Sequence, residues 1–381
     1  MKGSLQTKSG KYYVVFRING KQKWINLHIE DKRGNKRKAE QAMQELLVKY
    51  EENPTIFKKI DFCEYINKWL ENSKSHIDLV TYIGYKQYVD NHIIPYFKKK
   101  KLKLQDIRMS HIEEYYNEKA ENGRLDGHDG GLSLRTIQLH STVLSLVFKY
   151  AIREGLVKNN PVELAQLPNI QRNTSKNNFY TVDECKKLLE ISKGTPLHDI
   201  MVVTLYYGLR RSEIMGLRWI DVDFEKNTLT IQHTRVVNGV VVVKDKTKTQ
   251  SSNRIYPLID EVKELFLKLK IEQETHKQFL LNQYTDSGYI FVNEFGVPYH
   301  PGYPSQKLYK LLKKHPEMKH ITYHGLRHSA ASMLLARNWN MKAISEWLGH
   351  SNIGITMNLY THIDMESKRE RAKELNGILT G

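Results

Sequence analysis

Two polar stretches, "EENPTIFKK" at 51–59 and "PNIQRNTSKNN" at 168–178, interrupt a chain of 381 residues. The apolar residues between and beside them repeat with different periods. One continuous core would need one consistent layering, so the chain reads as several domains joined by polar linkers.

The first segment alternates. In "KYYVVFRI", Val14, Phe16 and Ile18 share one side of a strand, with Tyr13, Val15 and Arg17 on the other. Asn19-Gly20 predicts a hairpin into "KQKWINLHI", because both turn positions must accept positive φ. Ala39–Tyr50 then has helical spacing through Ala42 and Leu46. Residues 1–52 thus form a small sheet plus a helix, rich in Lys and Arg, and are expected to bind nucleic acid.

From 55 to 168 the pattern is helical, without a convincing strand. "FCEYINKWLEN" sets Phe62, Tyr65, Ile66 and Trp69 on one face. "TYIGYKQYVDNHIIPYF" runs from an expected N-cap at Thr81 to an expected stop at Pro95. The long periodic stretch from Ser133 to Gly155 predicts a core stripe of Leu139, Val143, Leu146, Val147 and Tyr150. The third segment, 175–381, mixes helices over Asp183–Ser192, Leu197–Tyr207 and from Val262 onward with the strands "TLTIQH" and "RIYPL" and a hairpin at Asn238-Gly239. The fold class is therefore multidomain, mainly α with small β-sheets: a small N-terminal sheet plus helix, a helical domain, and a mixed α+β domain.

Charge narrows the partner. With 59 Lys+Arg against 42 Asp+Glu the net charge is +17, and the pI is near 9.5. Such an excess favours a polyanion. Apolar runs such as Tyr12–Phe16 and Val240–Val243 are far too short to span a bilayer, and the N-terminus has no signal-peptide stretch. Cys63 and Cys185 fit no zinc spacing, the 16 histidines show no metal-ligand spacing, and the acidic residues form no two-metal motif. The expectation is a soluble cytoplasmic chain bound to nucleic acid, not to a membrane, with no cofactor and no metal.

Several stretches of the third segment carry chemistry-bearing residues. "YYGLRRSEIMGLRW" ends a helix at Gly208, presents Arg210 just beyond it, and offers Ser212 as the next N-cap. "KDKTKTQSSNRIYPL" is a Lys-rich turn between two strands. "HGLRHSAASMLLARNW" spaces His324 and Arg327 three apart on one helical face, over a buried stripe of Leu326, Ala330, Met333 and Leu334. "WLGHSNIGITMNLYTH" places His350 after a helix stop at Gly349 and Tyr360 ten residues later. Taken singly, each is an ordinary surface or capping feature.

In this order the stretches resemble the boxes of the tyrosine recombinase (integrase) family, most closely integrases of temperate phages and conjugative transposons of Gram-positive bacteria. The resemblance is specific across Tyr180–His362. It implies the catalytic set Arg210, Lys248, His324, Arg327, His350 and Tyr360, with Lys246 and Lys244 as neighbouring alternatives for the lysine. Gly325 departs from the pattern, which often has Asp there. The family architecture implies an arm-type DNA-binding domain over 1–52, a helical core-binding domain over 55–168, and a catalytic domain with a C-terminal tail over 175–381. It also implies double-stranded DNA with core and arm attachment sites as partner, a homotetramer on DNA, an accessory factor for excision, and a nucleoid-associated place in a bacterial host cell. In the tail, Ile363, Met365, Ala372, Leu375 and Ile378 form a patchy apolar stripe, read either as packing on its own domain or as docking on a neighbouring subunit.

The chemistry explains why such residues are needed. A phosphodiester is anionic, and its pentavalent transition state gathers further charge on the non-bridging oxygens. Two guanidiniums meet that need with planar donor forks that stay charged at neutral pH. A tyrosine with a reference pKa of about 10 needs a base, and the leaving 5′ oxygen needs an acid. His324 and Lys248 are the expected pair, with His350 on a phosphate oxygen. The expected activity is site-specific recombination through a 3′-phosphotyrosyl bond. Its alternatives are a topoisomerase-like nicking and resealing enzyme and an inactive DNA-binding regulator.

Overall fold

The computed structural model describes residues 3–18, 21–52, 59–170, 179–245 and 254–349, in two compact units, Met1–Arg172 and Asn173–Gly381. Among the described residues, no helix is long and apolar enough to cross a membrane.

The first unit opens with an antiparallel sheet of β1 (Ser4–Lys8), β2 (Lys11–Ile18) and β3 (Lys21–Glu30), followed by α1 (Lys36–Glu52). The strands flanking Asn19-Gly20 pair from Ile18↔Lys21 onward, as the hairpin reading requires; the turn itself lies outside the described residues. Strand β1 has no counterpart in the sequence reading. Its "SLQTK" has one apolar residue and no alternation, and its place comes from pairing with β2. Val14 and Phe16 bury against Leu47 of α1. Val15, on the opposite parity, is also only 4% exposed, so the two faces are not divided as cleanly as alternation suggests.

A separate core gathers α2 (Phe62–Ser73), α3 (Leu79–Tyr88), α4 (Ile94–Lys100), α5 (Met109–Asn122) and α6 (Leu134–Arg153). Phe62, Tyr65, Ile66 and Trp69 are buried, as their spacing predicts. Two local readings are corrected. Asp78, not Thr81, caps α3, its carboxylate accepting from the Val80 N–H at 2.9 Å; it stands where the chain turns into the helix, one residue before Leu79. Pro95 does not stop the chain. A π-helical turn at Val89–Ile93 ends the preceding ladder, so the proline falls in the first turn of α4, where a missing N–H costs nothing. Helix α6 begins where the periodic stretch does, and Ser133 caps it, accepting from Thr136 N–H at 3.2 Å. The buried stripe runs through Ile137, His140, Val143, Leu144, Val147, Phe148 and Ala151, while Leu146 is exposed and Leu139 and Tyr150 are half-buried. Val143 and Val147 are buried as expected and Tyr150 packs against the core, but the stripe is centred away from Leu146.

The second unit runs α7 (Val182–Ser192), α8 (Pro196–Tyr207), α9 (Arg211–Ile214), β4 (Val222–Asp223), β5 (Thr228–Ile231), β6 (Thr234–Asn238), β7 (Val240–Lys244), β8 (Arg254–Pro257), α10 (Asp260–Leu280), α11 (Tyr303–Lys314), α12 (Tyr323–Ala336) and α13 (Met341–Leu348). Helix α8 lies against α7, α10, α11 and α12 and is the apolar centre of the unit. The β6–β7 hairpin turns at Gly239 with φ +72°, as the Asn-Gly signal predicts. Strands β7 and β8, which flank the Lys-rich turn, do not pair with each other: β8 joins β5 and β4, so 246–253 connects two different sheets. The helical pattern expected from Val262 onward breaks at 281–302. A 3-10 turn and isolated bridges occupy that stretch, with Gly288 and Gly296 in the left-handed region.

Candidate active site

The site is built where α8, α12 and α13 end or begin. Helix α8 stops at Gly208, whose φ of +60° suits glycine, and whose absent Cβ would lie 2.1 Å from Leu348 Cδ2. That stop throws Arg210 onto the N-cap of α9. Ser212 falls inside α9, so its expected capping role is not realised; Glu213 takes it, accepting the Arg210 backbone N–H at 2.8 Å. The same glutamate accepts Arg210 Nη1 through Oε1 at 2.7 Å, and Arg210 Nη2 donates to the Gly349 carbonyl at 2.7 Å.

Thr322 caps α12, which carries His324 and Arg327, with Leu326 and Ala330 buried and Met333 and Leu334 half-buried behind them. Arg327 is 2% exposed. It donates from Nη1 to the Gly208 carbonyl at 2.8 Å and from Nη2 to the Leu348 carbonyl at 2.6 Å. Helix α13 ends at Gly349 with φ +66°. Its last three carbonyls are taken in turn by the Tyr256 hydroxyl at Trp347, by Arg327 at Leu348 and by Arg210 at Gly349. A helix C-terminus carries partial negative charge, which two guanidiniums complement. The two arginines therefore hold adjacent carbonyls, those of the two residues preceding His350.

Electrostatics follow from this crowding. Burial pushes the Glu213 carboxyl up, but Arg254, Arg210 and Arg327 together outweigh it and hold its pKa below the ordinary value. Burial, then Arg210, pulls Arg327 down to about 9, which leaves it a cation at neutral pH. His324 presents an exposed ring set edge-on to His328, with centroids 4.7 Å apart. Partial desolvation, then Arg327 and Arg210, lowers its pKa from 6.5, which favours the neutral, proton-accepting form at pH 7.

Of the six expected residues, the structure brings Arg210 and Arg327 together directly and His324 into their field. Lys248, His350 and Tyr360 lie outside the described residues, as do Lys246 and the tail stripe. Lys244 ends β7; the next residue, Asp245, accepts from Arg218 Nη1 at 3.2 Å and lies 2.8 Å from His233 Nδ1. No group of three or more His, Cys, Asp or Glu among the described residues could hold a metal ion.

Sequence reasoning passed over Glu213 and Arg254. Glu213 stands three residues after Arg210, the spacing of a capping box. Arg254 has a subtler signal. In "RIYP" it shares parity with Tyr256, and that parity is buried, while Ile255 is 71% exposed. A charge on the buried side of a strand asks for a partner.

The family described as "Phage integrase family" matches residues 178–367, and "Phage integrase, N-terminal SAM-like domain" matches 61–120. A XerC-like tyrosine recombinase of Caldanaerobacter subterraneus is 28% identical over 97% of both chains. Tyrosine recombinase XerC of Bacillus licheniformis is 31% identical over 64% of this chain and 76% of its own. Among solved structures, the integrase of transposon Tn1549 in complex with a circular intermediate DNA shares the fold with a TM-score of 0.67 at 24% identity, covering 83% of this chain and 99% of that one. The chain belongs to the tyrosine recombinases, the phage integrase family.

Proposed function

We propose that this recombinase integrates and excises a mobile element of the phage or conjugative-transposon kind, and that Tyr360 is its nucleophile. Its Oη attacks the scissile phosphorus and forms a 3′-phosphotyrosyl bond as the bond to the 5′ oxygen breaks. Neutral His324 accepts the phenol proton, and Lys248 delivers one to the leaving oxygen. Arg210 and Arg327 bind the non-bridging oxygens, whose charge grows in the transition state, and His350 adds a donor there. The bond to tyrosine retains the energy of the phosphodiester, so a 5′ hydroxyl of another strand reverses the step without ATP.

The observation that carries this reading is that Arg210 and Arg327 hold adjacent carbonyls at the end of α13, just before His350. A buried carboxylate offsets only part of their charge, and the remainder suits an anion. Within this reading residues 1–52 bind arm sites. Residues 55–168 and 175–381 clamp the core site, and four copies assemble on DNA. The tail docks on a neighbouring subunit. An accessory factor assists excision, and the protein works on the nucleoid in the cytoplasm.

A suicide substrate nicked beside the cleavage position traps the covalent adduct on a denaturing gel. Tyr360→Phe is expected to bind DNA normally and form no adduct. An adduct from the phenylalanine variant refutes the nucleophile.

A further inference from the structure

Arg254 is the first residue of β8, directly after the Lys-rich turn, and it is 9% exposed. Its Nη2 donates to Glu213 Oε2 at 2.9 Å. Arg210 Nη1 holds the other oxygen of that carboxylate, and Arg327 Nη1 stands 3.9 Å from Oε2. One buried glutamate thus serves three guanidiniums.

The arrangement is expensive for a merely structural contact. Arg254 Nε and Nη1 are buried and have no hydrogen-bond partner among the described residues. A buried donor left unmade costs about 1–3 kcal/mol, and an apolar side chain of similar length avoids that cost and the desolvation of the ion. Nη1 also packs on Gly349, where a Cβ would come within 1.7 Å of it. Arg254 therefore touches, at once, the carboxylate that holds Arg210 and the residue before His350, from the strand that follows the lysines.

We propose that Arg254 is a positioning residue for DNA cleavage: together with the Arg210 backbone N–H, which donates to the same oxygen at 2.8 Å, it holds Oε2 of Glu213 so that Oε1 stays turned to the Arg210 guanidinium, and so ties the strand after the lysines to the phosphate-binding arginine. The proposal rests on the recombinase reading above and adds a third arginine to it. Among the described residues the charged and titratable groups around the carboxylate are Arg210 at the N-cap of α9, Arg327 from α12, and Arg254 and Tyr256 from β8. Arg254 is the charge that contributes most to keeping Glu213 ionised. Without it, Glu213 takes a proton at higher pH and releases Arg210.

The test is single-turnover cleavage of a nicked suicide substrate by the full-length chain at saturating DNA, from pH 5 to 9, with DNA affinity measured alongside. Arg254→Met is expected to slow cleavage at least 30-fold while affinity stays within threefold, and to move the acidic limb of the rate profile to higher pH. Arg254→Lys is expected to recover at least fivefold of that loss, with a limb between the two. In a Glu213→Gln background, Arg254→Met is expected to add less than threefold. A folded Arg254→Met chain that cleaves within threefold of the unsubstituted one, with its acidic limb unmoved, overturns the proposal. If the methionine variant does not fold, an unmoved limb in Arg254→Lys overturns it equally. Failure of the unsubstituted chain to form any adduct, or adduct formation by Tyr360→Phe, overturns instead the reading beneath it.

Discussion

Two clusters of buried titratable groups, one in each compact unit, handle burial in opposite ways. In the helical part of the first unit His140 is fully buried; its Nδ1 lies 2.9 Å from the Tyr115 hydroxyl, and its ring lies 4.9 Å from that of His92. Burial, then His92 and Lys119, pulls the His140 pKa down to about 3, so the ring stays neutral across ordinary pH. In the second unit Arg327, Arg254 and Glu213 are buried while charged, and the guanidiniums outnumber the carboxylate. A neutral buried imidazole among aromatic rings behaves as core. Buried charge that is only partly balanced is kept at a cost in stability, and such a cost marks function.

The largest effect should come from Glu213→Ala. It leaves three guanidiniums, Arg254 and Arg327 of them buried, without their shared carboxylate, and breaking such a network costs about 3–5 kcal/mol. Urea unfolding of the chain measures it; a loss under 1 kcal/mol would mean that the charges are solvated, and the contrast between clusters would collapse. Next is the pH dependence of the helical cluster. Because the folded pKa of His140 lies below its unfolded value, the unfolded chain takes the proton first. The stabilisation is complete above about pH 6.5 and declines as pH falls toward 3, by about 1.4 kcal/mol per unit. Free energies of unfolding at pH 7 and 5 should differ by roughly 2 kcal/mol on this account, and His140→Gln should flatten that difference. The smallest effect is a pair of glycine substitutions. Gly155, at the end of α6, and Gly349 both hold φ near +70°, so alanine costs each about 1–2 kcal/mol of backbone strain. Gly155 faces open space, whereas Gly349 faces Arg254. Only Gly349→Ala should slow adduct formation, and equal activity in the two variants would separate Arg254 from cleavage.

Much of the fold was legible because local rules act over few residues. The Gly208 and Gly349 stops and the Asn238-Gly239 turn depend on backbone preferences of one or two positions. The misreadings share one cause. Thr81, Pro95, Ser212 and the place of Leu146 in the α6 stripe each depend on more than the residue itself: Asp78, a π-helical turn, the Glu213 carboxylate and the packing partners of α6 decide the outcome. Strand β1 could not be read at all, since its place comes from β2.

The site divides along the same line. The types of its residues and their order were written in the chain, because charge and donor geometry belong to each side chain wherever it lies. The meeting of Arg210 and Arg327 at one helix end was not, since 117 positions separate them in sequence and only the packing of α8, α12 and α13 brings them to adjacent carbonyls. Nor was the sharing of Glu213 by three guanidiniums, because a carboxylate's partners are chosen by the fold, through distance and exclusion of water, and not by its neighbours along the chain.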